Sequence, residues 1–309
     1  MIEMNRASRW HGRVIGLNDV SFRVDNGLTA LLGPNGAGKS TLFKMATGQI
    51  RPTTGMVKVM GMDPFGNPNV MRKLGYCPEI DNFYEEMTGR EFVTLLGSMS
   101  GISGAKLKNR VAEVIEQVGM TDRCDRKLGG YSKGMRQRIK IAQAIVHDPQ
   151  VILLDEPLNG LDPIGRRDVV DLMKTWAAAG KCVLVSSHIL YEVEQITDQI
   201  LVIYRGRVLA EGDIHSLREL IAEHPHHIRV QVDRPRPLAA ALIGLPSVLG
   251  ARVLSDQSRL IEVETSQPGA FYDALSEIVL SDGYVLESLT SPDNNLESVF
   301  RYLVERKTA

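Results

Sequence analysis

The fold is decided by the stretch Gly33-Pro34-Asn35-Gly36-Ala37-Gly38-Lys39-Ser40. It fits the pattern GxxxxGK followed by Ser or Thr at every required position, and an apolar run at residues 28–32 precedes it. Glycines let backbone N–H groups converge on phosphate oxygens, and a helix N-terminus adds the positive end of its dipole. The stretch therefore predicts a phosphate-binding loop between a buried strand and a helix. The alternative is a glycine-rich turn without a ligand.

The last residues of this loop suit the charge of a nucleotide. Lys39 is predicted to contact the β- and γ-phosphates, and Ser40 to offer its hydroxyl group to Mg²⁺. The helix is expected to start at Lys39, with Thr41 in its first turn and the apolar side chains that follow turned inward. Residues 33–41 are therefore the candidate nucleotide-binding residues.

Two carboxylates follow a second apolar run. Residues 151–154 are Val-Ile-Leu-Leu, and Asp155 and Glu156 come directly after them. The carboxyl end of a buried parallel strand lies at the edge where α/β sheets bind ligands, which would place Asp155 beside the phosphate loop. Asp155 is then expected to hold Mg²⁺ through water, and Glu156 to accept a proton from an attacking water molecule. An acidic residue at a strand end is common, so this pattern depends on the loop for its meaning.

The composition is that of a globular protein, because 43% of the 309 residues are hydrophobic and 24% are charged. The net charge of −1 shows no basic excess of the kind that binds a nucleic-acid backbone, so no nucleic-acid partner is expected. The first 14 residues contain no apolar run, and no stretch approaches about 18 consecutive apolar residues. We therefore expect neither a secretory signal nor a membrane-spanning helix. The three scattered cysteines are expected to be reduced, partly buried thiols.

Alternating strand and helix patterns predict an α/β domain over residues 1–215. Strand-like runs at 151–154, 182–185 and 200–204 alternate with helical patterns. This order predicts parallel pairing in a sheet that is covered by helices. Between about residues 86 and 146 the periodicity is helical throughout, which indicates a stretch of helices inserted between the strands.

A second, smaller domain is expected over residues 229–309. The run Ala-Glu-His-Pro-His-His at 222–227 and the run Asp-Arg-Pro-Arg-Pro at 233–237 are rich in Pro and His and lack periodicity, so a linker is expected over residues 216–228. Beyond them the patterns predict a strand, a helix, two strands, a helix and a strand, followed by a final helix at 296–305. The order βαββαβ predicts a small α+β, ferredoxin-like sandwich.

Further motifs make the chain resemble the ATPases of the ABC family. Residues 131–138, Tyr-Ser-Lys-Gly-Met-Arg-Gln-Arg, resemble that family's signature motif, and residues 159–162, Asn-Gly-Leu-Asp, look like its D-loop. His188 matches the family's switch histidine, and Trp10 stands where the family usually has an aromatic residue that stacks on adenine. The resemblance covers roughly residues 3–215. It implies a P-loop NTPase core of the ABC ATPase type with a helical subdomain over about 80–146.

The resemblance also implies a dimer in which ATP lies between two copies of the chain. In this family two chains pair head to tail, and the signature of each closes on the ATP held by the phosphate loop of the other. Ser132 and Gly134, at a helix N-terminus, and Asp162 of the D-loop would then bind the nucleotide. His188 would contact the γ-phosphate and help to hold the attacking water. The catalytic residues implied in this way are Glu156, His188 and Lys39.

The sequence departs from the family pattern at two positions. Glu79 occupies the Q-loop position, where the family has Gln; its oxygen can still bind Mg²⁺ or water, but it adds a negative charge beside phosphate and has no amide group to donate. Lys133 replaces a glycine within the signature, and its cation could face either phosphate or solvent, with solvent favoured. Glu79 is still taken as a candidate ligand of nucleotide and metal, together with Ser40 and Asp155.

Within the family the chain looks like the ATPase subunits of bacterial exporters that have separate membrane proteins. The reasons are a single phosphate loop, no long coiled-coil insertion and a C-terminal extension of about 90 residues. This implies a cytoplasmic protein, peripheral on the inner face of the cell membrane, that binds ATP and Mg²⁺, pairs with a second copy and docks on an integral membrane permease. The alternatives are a regulatory or assembly ATPase without a membrane partner, and a switch that binds ATP without hydrolysing it.

Overall fold

The phosphate loop joins a strand to a helix, as predicted. The structure is a computed structural model that describes residues 1–213, 226–255 and 259–291. The chain divides into two units, Met1–Asp213 and Ile214–Ala309. The strands of the first unit are β1 (Ile2–His11), β2 (Val14–Val24), β3 (Gly27–Leu32), β4 (Thr54–Val59), β5 (Leu74–Cys77), β6 (Val151–Leu154), β7 (Cys182–Ser187), β8 (Gln199–Tyr204) and β9 (Arg207–Asp213). Its α-helices are α1 (Lys39–Ala46), α2 (Pro68–Met71), α3 (Gly89–Met99), α4 (Gly104–Gln117), α5 (Lys133–Ile145), α6 (Pro163–Ala178) and α7 (Leu190–Ile196).

A six-stranded sheet forms the centre of the first unit, in the order β5-β6-β7-β3-β8-β9. Its neighbouring strands are parallel, as predicted, except for β8 and β9, which form an antiparallel pair. All residues of β6 and β7 are buried, as expected for strands covered on both faces. The parallel order places the carboxyl ends of β3, β6 and β7 side by side, so the three segments that follow these strands meet at one edge of the sheet.

A second, antiparallel sheet in the order β2-β1-β4 lies against the first. One apolar cluster contains side chains of both sheets and of α1, among them Met4, Phe22, Phe43 and Leu184. The alternation of Val20, Phe22 and Val24 with polar residues predicts β2, whereas no pattern predicts β1 or β4. In β1 the alternation of apolar and polar residues breaks after Met4, where the pairing with β2 shifts register.

The helical subdomain is formed by α3, α4 and α5, which lie between β5 and β6 in the chain. Thr88 caps α3 with its hydroxyl group and completes a capping box with Glu91. Helix α4 buries an apolar face that includes Val111 and Ile115, and Gly119 follows it with a φ of +66°, the left-handed conformation that glycine adopts after the end of many helices.

The second unit forms the ferredoxin-like sheet that its sequence predicts. Its elements are β10 (His226–Val232), α8 (Pro235–Ile243), β11 (Val248–Ser255), β12 (Leu260–Thr265), α9 (Pro268–Asp282) and β13 (Leu286–Thr290). The strand order is β11-β12-β10-β13, and every neighbouring pair is antiparallel. Both helices contribute to the apolar core of the sheet, through Leu238, Leu242 and Phe271 among others.

The structure corrects the predicted linker at its C-terminal end. Strand β10 begins at His226, because pairing with β12 starts at His226 and Thr265, so residues 226–228 belong to the sheet and not to a linker. Residues 216–225 of the predicted linker and the final predicted helix at 296–305 lie outside the described residues. The three cysteines are buried and unpaired, as predicted. Among the described helices, none combines the length and the apolar character needed to cross a membrane.

Candidate nucleotide site

The phosphate loop passes close to neighbouring backbone, which explains two of its glycines. A Cβ atom on Gly33 would lie 2.5 Å from the carbonyl oxygen of Ile203, and one on Gly38 would lie 2.7 Å from that of Gly16. Gly36 and Gly38 also have φ values of +78° and +111°. Gly38 is the N-cap of α1, and because glycine has no side chain the cap leaves the first N–H groups of the helix open. Such a helix start suits an anion.

Lys39 and Glu156 face each other across the loop. The Nζ atom of Lys39 donates hydrogen bonds to the carbonyl oxygens of Gly33, at 2.6 Å, and Pro34, at 3.4 Å. It also lies 3.2 Å from Oε1 of Glu156, and both side chains are at most 7% exposed. This approach is an ion pair without the alignment of a hydrogen bond, so Oε1 of Glu156 has no hydrogen-bond partner among the described residues. A buried carboxylate oxygen with a free lone pair can accept a proton from a water molecule.

The switch histidine contacts the other oxygen of the same carboxylate. His188 follows β7, and its Nδ1 atom lies 3.0 Å from Oε2 of Glu156. Glu156 itself has a φ of +51°, a left-handed conformation that is uncommon outside glycine. Its backbone N–H donates to the hydroxyl group of Ser186, at 2.8 Å, and that hydroxyl donates to Oδ1 of Asp155, at 2.7 Å. The neighbouring strand β7 therefore fixes both carboxylates.

Ser40, Asp155 and Glu79 line one cavity of about 650 Å³. Burial raises the pKa of Asp155, hydrogen bonds from Ser186 and Ser40 oppose that rise, and the charge of Glu79 adds to it. The described residues contain no cluster of three His, Cys, Asp or Glu that could bind a metal alone. One hydroxyl group and two carboxylates nevertheless form the oxygen set that Mg²⁺ prefers when phosphates and water complete its coordination. The donor set fits the ion.

The signature and the D-loop form a second cavity, of about 680 Å³, on the same unit. Ser132 is the N-cap of α5 and accepts from the N–H of Met135, at 3.3 Å. A Cβ atom on Gly134 would lie 3.2 Å from the carbonyl oxygen of Gly160, so the signature packs directly on the D-loop. The exposed Lys133 extends its alkyl stem over the same glycine. The residues that line this cavity include none of residues 33–41.

Two other predicted nucleotide ligands have different surroundings. Asp162 is the N-cap of α6, where Oδ1 accepts from the N–H of Gly165 at 2.9 Å, and its carboxylate lines the signature cavity. Trp10 lies near the end of β1, where its backbone N–H donates a hydrogen bond to the hydroxyl oxygen of Thr53, and the residue is 46% exposed. Trp10 lines neither cavity. The site predicted from the sequence is therefore split within one chain into a phosphate-loop half and a signature half.

Comparison with known proteins identifies the family to which these motifs belong. The family model described as ABC transporter matches residues 17–159. YxlF of Bacillus subtilis, named as an uncharacterised ABC transporter ATP-binding protein, is 39% identical over 204 residues, which are 66% of this chain and 68% of its own length. The daunorubicin/doxorubicin resistance ATP-binding protein DrrA of Streptomyces peucetius is 34% identical over 287 residues, which are 92% and 86% of the two chains. The chain belongs to the ABC transporter ATP-binding proteins.

A solved structure supports the same family. An ATP-binding subunit of an ABC transporter superposes with a TM-score of 0.66 at 31% identity, over 72% of this chain and 93% of its own. The chain is thus an ABC ATPase, with ATP as its nucleotide, and the α/β cassette fold predicted from its sequence is confirmed. The chain spans 65% and 58% of the length of two further relatives, from Nostoc and Synechocystis.

Two residues of this ABC ATPase site were missed by the sequence analysis. Ser186 links Asp155 to the backbone of Glu156, as described above. Lys140 is a buried lysine in α5 whose Nζ atom lies 2.8 Å from Oδ1 of Asp81. The signal for Ser186 was a polar residue at the end of an otherwise apolar strand. The signal for Lys140 was a lysine at an otherwise apolar helical position, between Ile139 and Ile141.

Proposed function

We propose that this ABC ATPase powers a separate membrane permease by forming a head-to-tail dimer around Mg²⁺ and ATP. The observation that carries the proposal is the division of the site into two cavities within one chain. The signature half presents the N-terminus of α5, which suits an anion, but no phosphate loop lies in its cavity. A second copy in head-to-tail orientation would bring the γ-phosphate of its ATP to Ser132 and Gly134.

The chain's own groups suggest how the bound ATP is hydrolysed. The N–H groups of the loop and Lys39 hold the phosphates, and Lys39 exchanges its contacts with Gly33 and Pro34 for phosphate oxygens. Glu156 accepts a proton from the attacking water, while His188 orients the carboxylate and faces the γ-phosphate. Mg²⁺, held by Ser40, Asp155 and Glu79, would neutralise charge on the phosphates.

The docking surface for the permease is assigned to the helical subdomain. Ile80 and Tyr84 are 72% and 63% exposed at the rim of the cavity that also contains Phe83 and Leu96. Exposed apolar side chains that gather around one depression are typical of a protein-binding surface. The same cavity contains Glu79, so a permease that binds there would lie beside the metal ligands. The protein would therefore work in the cytoplasm, peripheral on the inner face of the cell membrane.

Outward transport is proposed from two relatives. The alignment with DrrA, which is named for resistance to two drugs, covers 92% of the chain, and Nod factor export ATP-binding protein I of Rhizobium sp. (strain N33), 34% identical over 233 residues, is named for export. The second unit is proposed to stabilise or regulate the dimer. No residue described in the chain assigns a cargo, because cargo contacts would belong to the permease.

The proposal is tested by Glu156→Gln in the full-length chain. We expect the variant to retain ATP binding, to lose about a thousandfold in kcat, and to elute as a dimer with ATP and Mg²⁺ but as a monomer with ADP. The reason is that glutamine has nearly the same size and shape as glutamate but cannot act as the base that accepts the proton.

Glu116→Gln, an exposed position in α4, is the matched control and is expected to behave as wild type. Turnover of Glu156→Gln at the wild-type rate, or a monomer under all conditions, would contradict the proposal. Co-purification of a multi-span membrane protein from a detergent extract supports the transport function, and purification without one favours a regulatory ATPase.

A further inference from the structure

One face of α5, together with His147 two residues after its end, contacts the segment at residues 74–85 along its length. The side chains on this face are separated by four, three and four residues, which is the spacing of one helix face. The contacts are Arg136 with the carboxylate of Glu85 at 2.9 and 3.1 Å, Lys140 with residues 78–81, Gln143 Nε2 with the carbonyl oxygen of Tyr76 at 2.9 Å, and His147 Nε2 with that of Leu74 at 3.0 Å. The helix that begins with the signature is thus fastened to the segment that carries Glu79.

Lys140 is the buried charge at the centre of this contact. It is 4% exposed, and lysine is rarely buried unless its charge is paired. Its Nζ atom donates to the carbonyl oxygens of Pro78, at 3.1 Å, and Glu79, at 2.8 Å, and lies 2.8 Å from Oδ1 of Asp81. Two of the three hydrogens of the ammonium group are donated to these carbonyl oxygens, and its charge is paired with the Asp81 carboxylate. Lys140 therefore acts on residues 78–81.

The position of Glu79 depends on this contact because its backbone is one of the groups that Lys140 holds. The Glu79 side chain lines the cavity of Ser40 and Asp155, where two carboxylates repel each other. The cation of Lys140 is a positive charge on the protein side of the same segment, and it lines the same cavity. It lowers the cost of bringing the carboxylates together before any metal ion does so.

We propose that Lys140 is a positioning residue that fixes residues 78–81 and thereby holds the Glu79 carboxylate beside Asp155 and Ser40 for binding of the divalent cation. The inference rests on the proposed role of Glu79 as a metal ligand. It adds that helix α5, which begins with the signature, orients the Glu79 carboxylate as a ligand of the metal ion. Glu79 and Lys140 act as a pair, so the effect of either one depends on the other.

The test measures how strongly Mg²⁺ improves binding of a fluorescent ATP analogue to the full-length protein. The dissociation constant is determined with Mg²⁺ and with EDTA, and the ratio of the two is the Mg²⁺ enhancement. We expect Lys140→Met to lower this enhancement by about tenfold, the loss usual when a group that orients a metal ligand is removed. Lys140→Arg, which keeps the charge, should recover most of it. Lys108→Met, an exposed lysine of α4, is the control and should not change it.

A second comparison separates positioning from a general structural role. In a Glu79→Gln background, Lys140→Met should cause no further loss of the Mg²⁺ enhancement, because the carboxylate that it positions has been removed. An equal loss in that background, or an unchanged enhancement in Lys140→Met alone, overturns the inference. If Lys140→Met does not fold, Asp81→Asn replaces it with the same two outcomes. A wild-type protein that binds no nucleotide would contradict the proposed function instead.

Discussion

Beside the phosphate loop Lys39, Asp155 and Glu156 are buried and contact other polar side chains, whereas Ser132 and Lys133 at the start of α5 are exposed. Lys39 contacts Glu156, Glu156 contacts His188, and Ser186 joins Asp155 to the same group. The signature presents an exposed Ser132 and an exposed Lys133 around an open cavity. In the proposed dimer the first region would perform chemistry on a bound phosphate, and the second would meet a phosphate held by another copy of the chain. The difference supports the proposal that one chain carries two complementary halves of the site.

Mixing two inactive variants is the test with the largest expected effect, because it asks whether the two regions act together between two chains. Lys39→Ala removes the phosphate-loop half, and Gly134→Glu fills the space in front of Gly160 and places a negative charge at the N-terminus of α5. We expect each variant alone to lose about a thousandfold in kcat/KM for ATP. In a mixed dimer the intact phosphate loop of the Gly134→Glu chain faces the intact signature of the Lys39→Ala chain. Mixing should therefore restore phosphate release. If both chains also carry Glu156→Gln, mixing should restore ATP-dependent dimers.

The outcome distinguishes action between chains from action within one chain. If the signature served the loop of its own chain, neither variant would contain an intact site and mixing would restore nothing. Gly130→Glu is the matched control, because a Cβ atom there meets no atom within 4 Å and the residue precedes the signature. That variant should be active on its own, without being mixed with another variant.

Ser186→Ala tests whether the hydrogen bonds that join Asp155 to the backbone of Glu156 matter for catalysis. The substitution removes the donor to Asp155 and the acceptor for the N–H of Glu156, which leaves a buried N–H without its partner. We expect kcat to fall roughly tenfold, about 1.4 kcal/mol, with a smaller change in KM. Single-turnover phosphate release measures it, and Ser98→Ala, an exposed serine of α3, is the control. An unchanged kcat would mean that β7 does not need this hydroxyl to fix the two carboxylates.

The same two regions show what the sequence can and cannot predict. The loop, Asp155 and Glu156 were predicted because each follows an apolar run and parallel strands bring their carboxyl ends to one edge, whereas His188 was predicted from the resemblance to the ABC family. Ser186 and Lys140 were missed because their partners lie about 30 and 60 residues away in the chain, and only the packing of β7 and α5 brings them close. Strand β1 was missed because its register shifts break the alternation on which a strand prediction depends. The roles of the individual site residues are predictions that the variants described here test.

The smallest expected effect concerns Trp10, which lines neither cavity. The residue is 46% exposed, whereas the other tryptophan, Trp176, is buried in α6. If Trp10 stacks on adenine, Trp10→Ala should weaken ATP binding by about tenfold, within the usual range for stacking of one base on an aromatic ring, and Trp10→Phe should weaken it less. ATP should quench the tryptophan emission of the Trp176→Phe variant, in which only Trp10 emits, and should leave that of Trp10→Phe unchanged. Quenching in Trp10→Phe would place the adenine elsewhere, because Trp176 would then be the residue that senses the nucleotide.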